Sequence, residues 1–333
     1  SNQSDKQKSE MEKLFAGYKG AGVLDYVTAW YLKAAQIIQN TSIKVAFVST
    51  NSIAQGEQVG ILWNILFNQF KIKIHFAHQT FKWSNEASGN AAVHCIIIGF
   101  ANFDTMNKSI YEYDDINGEA LALKASNINP YLFEGKDFAL TTRNFPLCNV
   151  PRILFGSKLV DNGNFLFTEE EKNKFIQSEP KAKEFFREIL SGEEFINGKS
   201  RWCLWLKDIS PTKLRELKQV NARVANVKSF RAQSKKIPTQ RAAEFPTLFA
   251  ELRQPDNDFL LIPLTSSENR KYIPLGFFNK NYIVTNSCSV IPDATLYHFG
   301  VLTSSMHMAW VKSVCGRLKS DFRYSNSIVY NNF

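Results

Sequence analysis

The first hundred residues switch between the two hydrophobic periods of regular structure. Over residues 22–40, apolar side chains fall at Val23, Val27, Trp30, Tyr31, Ala34 and Ile38, a three-to-four spacing that predicts an amphipathic helix. Residues 43–48 (IKVAFV) predict a short strand rich in β-branched residues, and 58–70 a second helix. Ile72, Ile74 and Phe76 then alternate as a strand, while 93–100 is a nearly continuous apolar run, the mark of a buried strand. The order helix, strand, helix, strand, strand predicts an α/β fold, the C-terminal half of a Rossmann-like sheet closing in a reversed hairpin. Three strands are too few to build a stable doubly wound sheet, so the chain is expected to begin mid-domain.

Between the last two strands runs a polar stretch that carries two aromatics, Phe81 and Trp83, without an apolar pattern of its own. It reads as a long loop, and loops of this length in a compact hairpin are usually functional. Rings on a loop at a sheet edge suit the stacking of a planar ligand such as an unpaired base. Gly17, Gly20 and Gly22 precede a helix, but no strand pattern precedes them, so the dinucleotide-binding fingerprint fails its context test.

All eleven prolines lie at Pro130 or later, and residues 102–129 are polar and acidic in their first half. A domain boundary is expected there, near residue 125. Beyond it, residues 211–241 hold nine Lys or Arg against the single acid Glu216. That concentration is the footprint of a polyanion partner, although a solvated helix face would carry the same charges. No apolar run approaches the roughly 18–20 residues of a membrane helix, and no signal peptide opens the chain. Cys95, Cys148, Cys203, Cys288 and Cys315 are scattered without a C-x-x-C pair. A reduced, cytoplasmic protein without a structural zinc site is the simplest reading.

The blocks GAGVLDYVTAWYLKAAQII, IKVAFVSTNSI and IKIHFAHQTFKWSNEASGNAAVHCIIIGF resemble the later motifs of amino-group DNA methyltransferases that modify adenine N6. The closest likeness is to the MmeI-like class of large fused restriction–modification proteins. The second half resembles the same class through DNGNFLFTEEEKNKF, GEEFINGKSRWCLWLKD, RQPDNDFLLIP, RKYIPLGFF and the final block from Ala294 to Phe333. The likeness runs through nearly the whole chain in the family's order. It implies a methyltransferase part over residues 1–125, an α+β target-recognition domain over 126–294, and a helical C-terminal segment over 295–333 packing on that domain.

In such families an S-adenosylmethionine-binding glycine motif and an Asn-Pro-Pro-aromatic tetrapeptide lie upstream of the segment resembling residues 15–40, and a nuclease domain lies further upstream. This sequence has no Asn-Pro-Pro and no Phe-x-Gly-x-Gly. The resemblance therefore implies a fragment, inactive alone, whose partners are double-stranded DNA and the upstream part of the same polypeptide, with S-adenosylmethionine as the cofactor of the intact enzyme. By position, Phe81 matches the aromatic that opens the family's base-stacking motif, with Trp83 the second candidate.

Lys228, Arg231, Lys235, Lys236 and Arg241 are the candidate phosphate ligands of the basic stripe, since affinity for duplex DNA comes largely from such contacts. Arg253 and Gln254 could read bases, Arg pairing with guanine and Gln with adenine, and Arg270 and Lys271 sit in a similar loop. Residues 303–318 predict a helix with Met306, Ala309, Trp310, Val314 and Leu318 on one face, and Lys312, Arg317, Lys319 and Arg323 extend the basic surface. His75, His78 and His94 lack an acid or thiol at metal-ligand spacing. Thr168 followed by three glutamates reads as a capped helix start. Two other classes remain open: a DNA-binding module without a methyltransferase partner, and an α/β enzyme acting on a small molecule.

Overall fold

A computed structural model describes residues 3–83, 93–115 and 118–333. The chain forms two compact units, Ser1–Cys148 with Ala309–Phe333, and Asn149–Met308. The first unit therefore runs past residue 125 and takes in the end of the chain. Among the described residues no helix is long and apolar enough to cross a membrane.

The first unit is built on α1 (Asp5–Leu14), α2 (Thr28–Ile37) and α3 (Glu57–Asn68) and on a five-stranded sheet. Its strands are β1 (Lys44–Thr50), β2 (Lys73–Trp83), β3 (Val93–Ala101), β4 (Lys108–Glu112) and β5 (Leu121–Ala125), in the order β1-β3-β2-β4-β5. β3 runs antiparallel to both β1 and β2, and β2 runs parallel to β4. Three strands thus point the same way, with the reversed β3 inserted between two of them. The α/β class and the buried third strand stand as expected. The polar stretch expected to hold a domain boundary forms the β4–β5 hairpin, whose ladder adds to β2 while only Ile110 and Ala125 supply an apolar inner row.

One face of the sheet carries the core. Tyr31 of α2 stacks on Phe100 at 5.5 Å and meets Phe47 and Trp63 edge-on at 5.1 and 6.2 Å. Such pairs add about 0.5–1.5 kcal/mol each beyond the area they bury. The buried face of α2 keeps Tyr31, Ala34 and Ile38 of the expected stripe and adds Ala29, Leu32 and Ala35, while Trp30 and Ile37 stay exposed. Val48 of β1, an edge strand of this sheet, is exposed as well.

The end of the chain departs from a single helix over 303–318. Helices Leu296–Leu302 and Ser305–Val314 are followed by the hairpin Gly316–Leu318 and Asp321–Arg323. The helix stops where Gly56 donates its N–H to the Val314 carbonyl at 3.0 Å, an approach that two facing glycines, Gly56 and Gly316, leave room for. Buried residues there are His307, Met308, Val311 and Val314, while Met306 and Leu318 are exposed.

The second unit carries two four-stranded sheets. One orders Gly276–Phe278, Phe259–Pro263, Cys288–Pro292 and Leu154–Phe155; the other orders Ile283–Val284, Phe186–Leu190, Trp202–Leu204 and Leu166–Phe167. Thr168 caps the helix Glu169–Ser178 in a reciprocal box with Glu171, so the three glutamates serve the helix start. The helix Lys218–Ala232 buries Val220, Val224, Val227 and Arg231 against the core around Phe165 and Phe249.

Candidate nucleic-acid interface

Phe81 and Trp83 are not on a loop: they end β2, which runs seven residues beyond Phe76. The intervening residues 84–92 lie outside the described ones. Backbone pairing with β3 carries the strand through this polar sequence, a ladder that periodicity in side chains does not reveal. Two irregularities in that ladder decide which way the rings face. Ile74 pairs with Phe100 but Phe76 with Gly99, and His78 pairs with Ile97 but Phe81 with Cys95. Each is a one-residue bulge, which flips the side-chain alternation downstream of it.

The first bulge moves Phe76 off the core face that Ile74 occupies, and the second brings Phe81 and Trp83 onto the same face as His78. Phe76 lies directly over Gly99, where a Cβ would sit 2.1 Å from its ring. Parallel pairing places Tyr111 of β4 beside His78, and their rings stack at 4.1 Å and 5°. Tyr113, two residues on, stacks on Phe81 at 5.4 Å and 27°. Its hydroxyl hydrogen-bonds His78 Nδ1 at 2.8 Å. Burial holds the His78 imidazole below its ordinary pKa and raises that of the Tyr113 phenol, so both groups are neutral around neutral pH.

The result is an aromatic row at the carboxyl ends of the parallel strands, on the face opposite the core. Open α/β sheets bind ligands outside these strand ends. Phe81 is half-buried, and Trp83, tilted 51° to it, is 46% exposed. Sequence reading missed Tyr111 and Tyr113; the alternation Tyr-Glu-Tyr within an acidic stretch is the signal that marks them. His75, by contrast, is buried with its Nε2 on the Phe103 carbonyl at 2.8 Å. A cleft of about 840 Å³ between α1 and residues 20–25 lies away from this row and is lined by Met11, Phe15 and Tyr18 among others.

The basic candidates of the second unit separate into two groups. Lys228, Lys235, Lys236 and Arg241 are exposed, and among the described residues none has an acidic partner. Arg231 is 0% exposed and its guanidinium meets five carbonyls, of Val160, Ala242, Phe245, Leu159 and Leu248, at 2.8–3.3 Å. All its donors are engaged, so Arg231 is a structural residue and not a phosphate ligand. Gln254 is likewise committed: it donates to the carbonyls of Lys280 and Tyr282 and accepts from the Val284 N–H, which leaves no amide edge for a base. Arg253 is exposed, pairs with Glu251 and lies 5.8 Å from the Phe155 ring centre. Lys271 is exposed; Arg270 is half-buried, its Nε without a partner. Lys312, Lys319 and Arg323 are exposed, while Arg317 lies over Phe322 at 3.9 Å.

Comparison with known proteins bears directly on both groups. The family model for the MmeI DNA-methyltransferase domain matches residues 1–112, and that for the MmeI target recognition domain matches residues 134–333. The chain belongs to the MmeI family. Within it, the chain is 40% identical over 332 residues to DNA methyltransferase A of Bacillus subtilis (strain 168), covering 99% of this chain and 37% of that protein. The type IIL restriction-modification enzyme MmeI, solved in complex with DNA, is 51% identical and superposes with a TM-score of 0.94 over 99% of this chain. This chain spans 44% of that MmeI structure's length. The region shared with the MmeI family is therefore part of a methyltransferase domain, carrying the aromatic row, followed by the target recognition domain, carrying the exposed cations.

Proposed function

We propose that this chain is the part of a site-specific adenine-N6 DNA methyltransferase that stacks the extruded base and reads the target sequence. The adenine amine lies inside the duplex, so methylation requires the base to leave the stack and be held elsewhere. Phe81 is the wall against which it stacks, with Trp83 as the flanking ring, and stacking on an aromatic contributes roughly 1–3 kcal/mol per base. The observation that carries this reading is the pair of bulges that turns Phe81, Trp83 and their supporting rings to one face at the strand ends.

S-adenosylmethionine is the cofactor of this family, and the sequence carries no Phe-x-Gly-x-Gly motif for it. The first strand begins at Lys44, after Gly17, Gly20 and Gly22, so those glycines form no strand-to-helix turn able to cradle it. No step of methyl transfer is assigned to these residues. Among the described residues no strand pairs with the outer edge of β1, whose Val48 is exposed. This edge fits the cofactor-binding half of the same polypeptide, joining the sheet by a further strand.

In the target recognition part, Lys228, Lys235, Lys236 and Arg241 meet phosphates, and Arg253, Arg270 and Lys271 border the bases. The test is 2-aminopurine fluorescence in the intact polypeptide, with the analogue replacing the target adenine. Phe81→Ala is expected to lose the flipped-base signal and, on the duplex with adenine in place, to lower kcat; an unchanged signal ends the assignment.

A further inference from the structure

We propose that Tyr113, held by His78, is the positioning residue for Phe81: its ring backs one face of Phe81 and leaves the other for the extruded base. The inference rests on Phe81 being the stacking wall and adds how that wall is kept in place. A phenylalanine at the end of a strand has two rotatable bonds and no polar anchor, and a base gains from stacking only against a ring already held in the right plane. Tyr113 supplies that plane at 5.4 Å and 27°, while His78 and Trp83 meet Phe81 at 65° and 51°, edge-on or tilted. Among the described residues no second ring lies parallel to Phe81.

Tyr113 is itself fixed from two sides. Its hydroxyl bonds to His78 Nδ1 at 2.8 Å, and the His78 ring lies flat on Tyr111 at 4.1 Å. The bulge that aligns His78 with Phe81 is tied down in turn. Gln79 Nε2 donates to the Leu132 carbonyl at 3.0 Å, and Asn51 Nδ2 reaches Thr80 Oγ1 at 3.4 Å. A chain of contacts thus runs Tyr111, His78, Tyr113, Phe81, with one hydrogen bond between phenol and imidazole setting the plane of the last two rings.

The experiment uses the full polypeptide carrying this chain, after sequencing of methylated DNA has identified the target adenine. Four variants, Phe81→Ala, Tyr113→Phe, His78→Ala and His78→Gln, are compared by fluorescence on a duplex with 2-aminopurine at that position and by kcat on the same duplex with adenine there. Tyr113→Phe keeps the ring and loses only the hydroxyl. It is expected to lower the flipped-base fluorescence and kcat about two- to tenfold, the effect of one lost hydrogen bond, with KM for DNA and thermal unfolding unchanged. His78→Ala falls to the same level, and His78→Gln, which can still bond the phenol, recovers part of the signal. A Tyr113→Phe enzyme with wild-type fluorescence and kcat, beside a Phe81→Ala enzyme that has lost both, overturns the positioning role and leaves the stacking wall standing. Unchanged fluorescence in Phe81→Ala removes the wall itself, and the inference with it. If His78→Ala fails to fold, Tyr113→Phe against Phe81→Ala still decides.

Discussion

Two residues that look like DNA ligands in sequence turn out to hold the fold. Arg231 follows Val220, Val224 and Val227 at helical spacing, so it continues the apolar stripe rather than the charged one. A guanidinium buried there is tolerable because five carbonyls absorb its five N–H groups. Replacing it leaves those carbonyls unpaired, and Arg231→Met is expected to destabilise the protein by about 3 kcal/mol or more, against less than about 0.5 for Lys228→Ala on the exposed side. Denaturant unfolding of the two variants checks this; equal losses would mean the cage is not structural. The spacing was readable from sequence, but the carbonyls that receive Arg231 come from 159–160 and 242–248, and only the fold brings them together. Gln254 is a similar case, since its partners at 280–284 lie across a turn.

Elements were legible where side chains carried the period and illegible where the backbone did. α3, β1 and β3 follow apolar spacing and were predicted near their observed limits, and α2 was found but starts at Thr28, six residues later than expected. The second half of β2 and the β4–β5 hairpin are held by ladders to neighbours, with few apolar residues, and read as a loop and a domain boundary. Bulges leave no periodic mark, because they break the very alternation that a sequence reading counts. One residue does record the first bulge: Gly99, opposite Phe76. Gly99→Ala drives a methyl into the Phe76 ring and is expected to cost about 1–3 kcal/mol as the strand shifts. The flipped-base signal should fall with it, measured as for Phe81→Ala; a variant of wild-type stability and signal would show that Phe76 yields without disturbing the row.

At the scale of the whole molecule, the division into compact units and the division into family domains do not coincide. The target recognition match runs from 134 to 333, yet residues 134–148 and 309–333 fold with the methyltransferase part. The functional boundary near residue 125 is a proposal about roles, and the compact units describe packing. Stability across the chain also carries a pH signature. Burial lowers the His307 pKa to about 4, so the folded protein keeps it neutral while the unfolded chain protonates below about 6.5. The unfolded state then binds the extra proton, and stability falls as pH drops from about 6.5 toward 4, by at most about 1.4 kcal/mol per pH unit. Unfolding at pH 7 and pH 5 should show a smaller difference in His307→Gln than in the parent; an equal difference would place the proton elsewhere.

The central claim is that the exposed cations of the target recognition part engage DNA phosphates, and duplex binding as a function of salt tests it most directly. The logarithm of the binding constant should fall linearly with the logarithm of salt, by about 0.9 per phosphate contact. Lys235→Ala/Lys236→Ala should reduce the slope by roughly 2, whatever the DNA sequence. The same slope in parent and double variant would remove these lysines from the interface, and no binding at low salt would contradict the account of this chain as a DNA-recognition region.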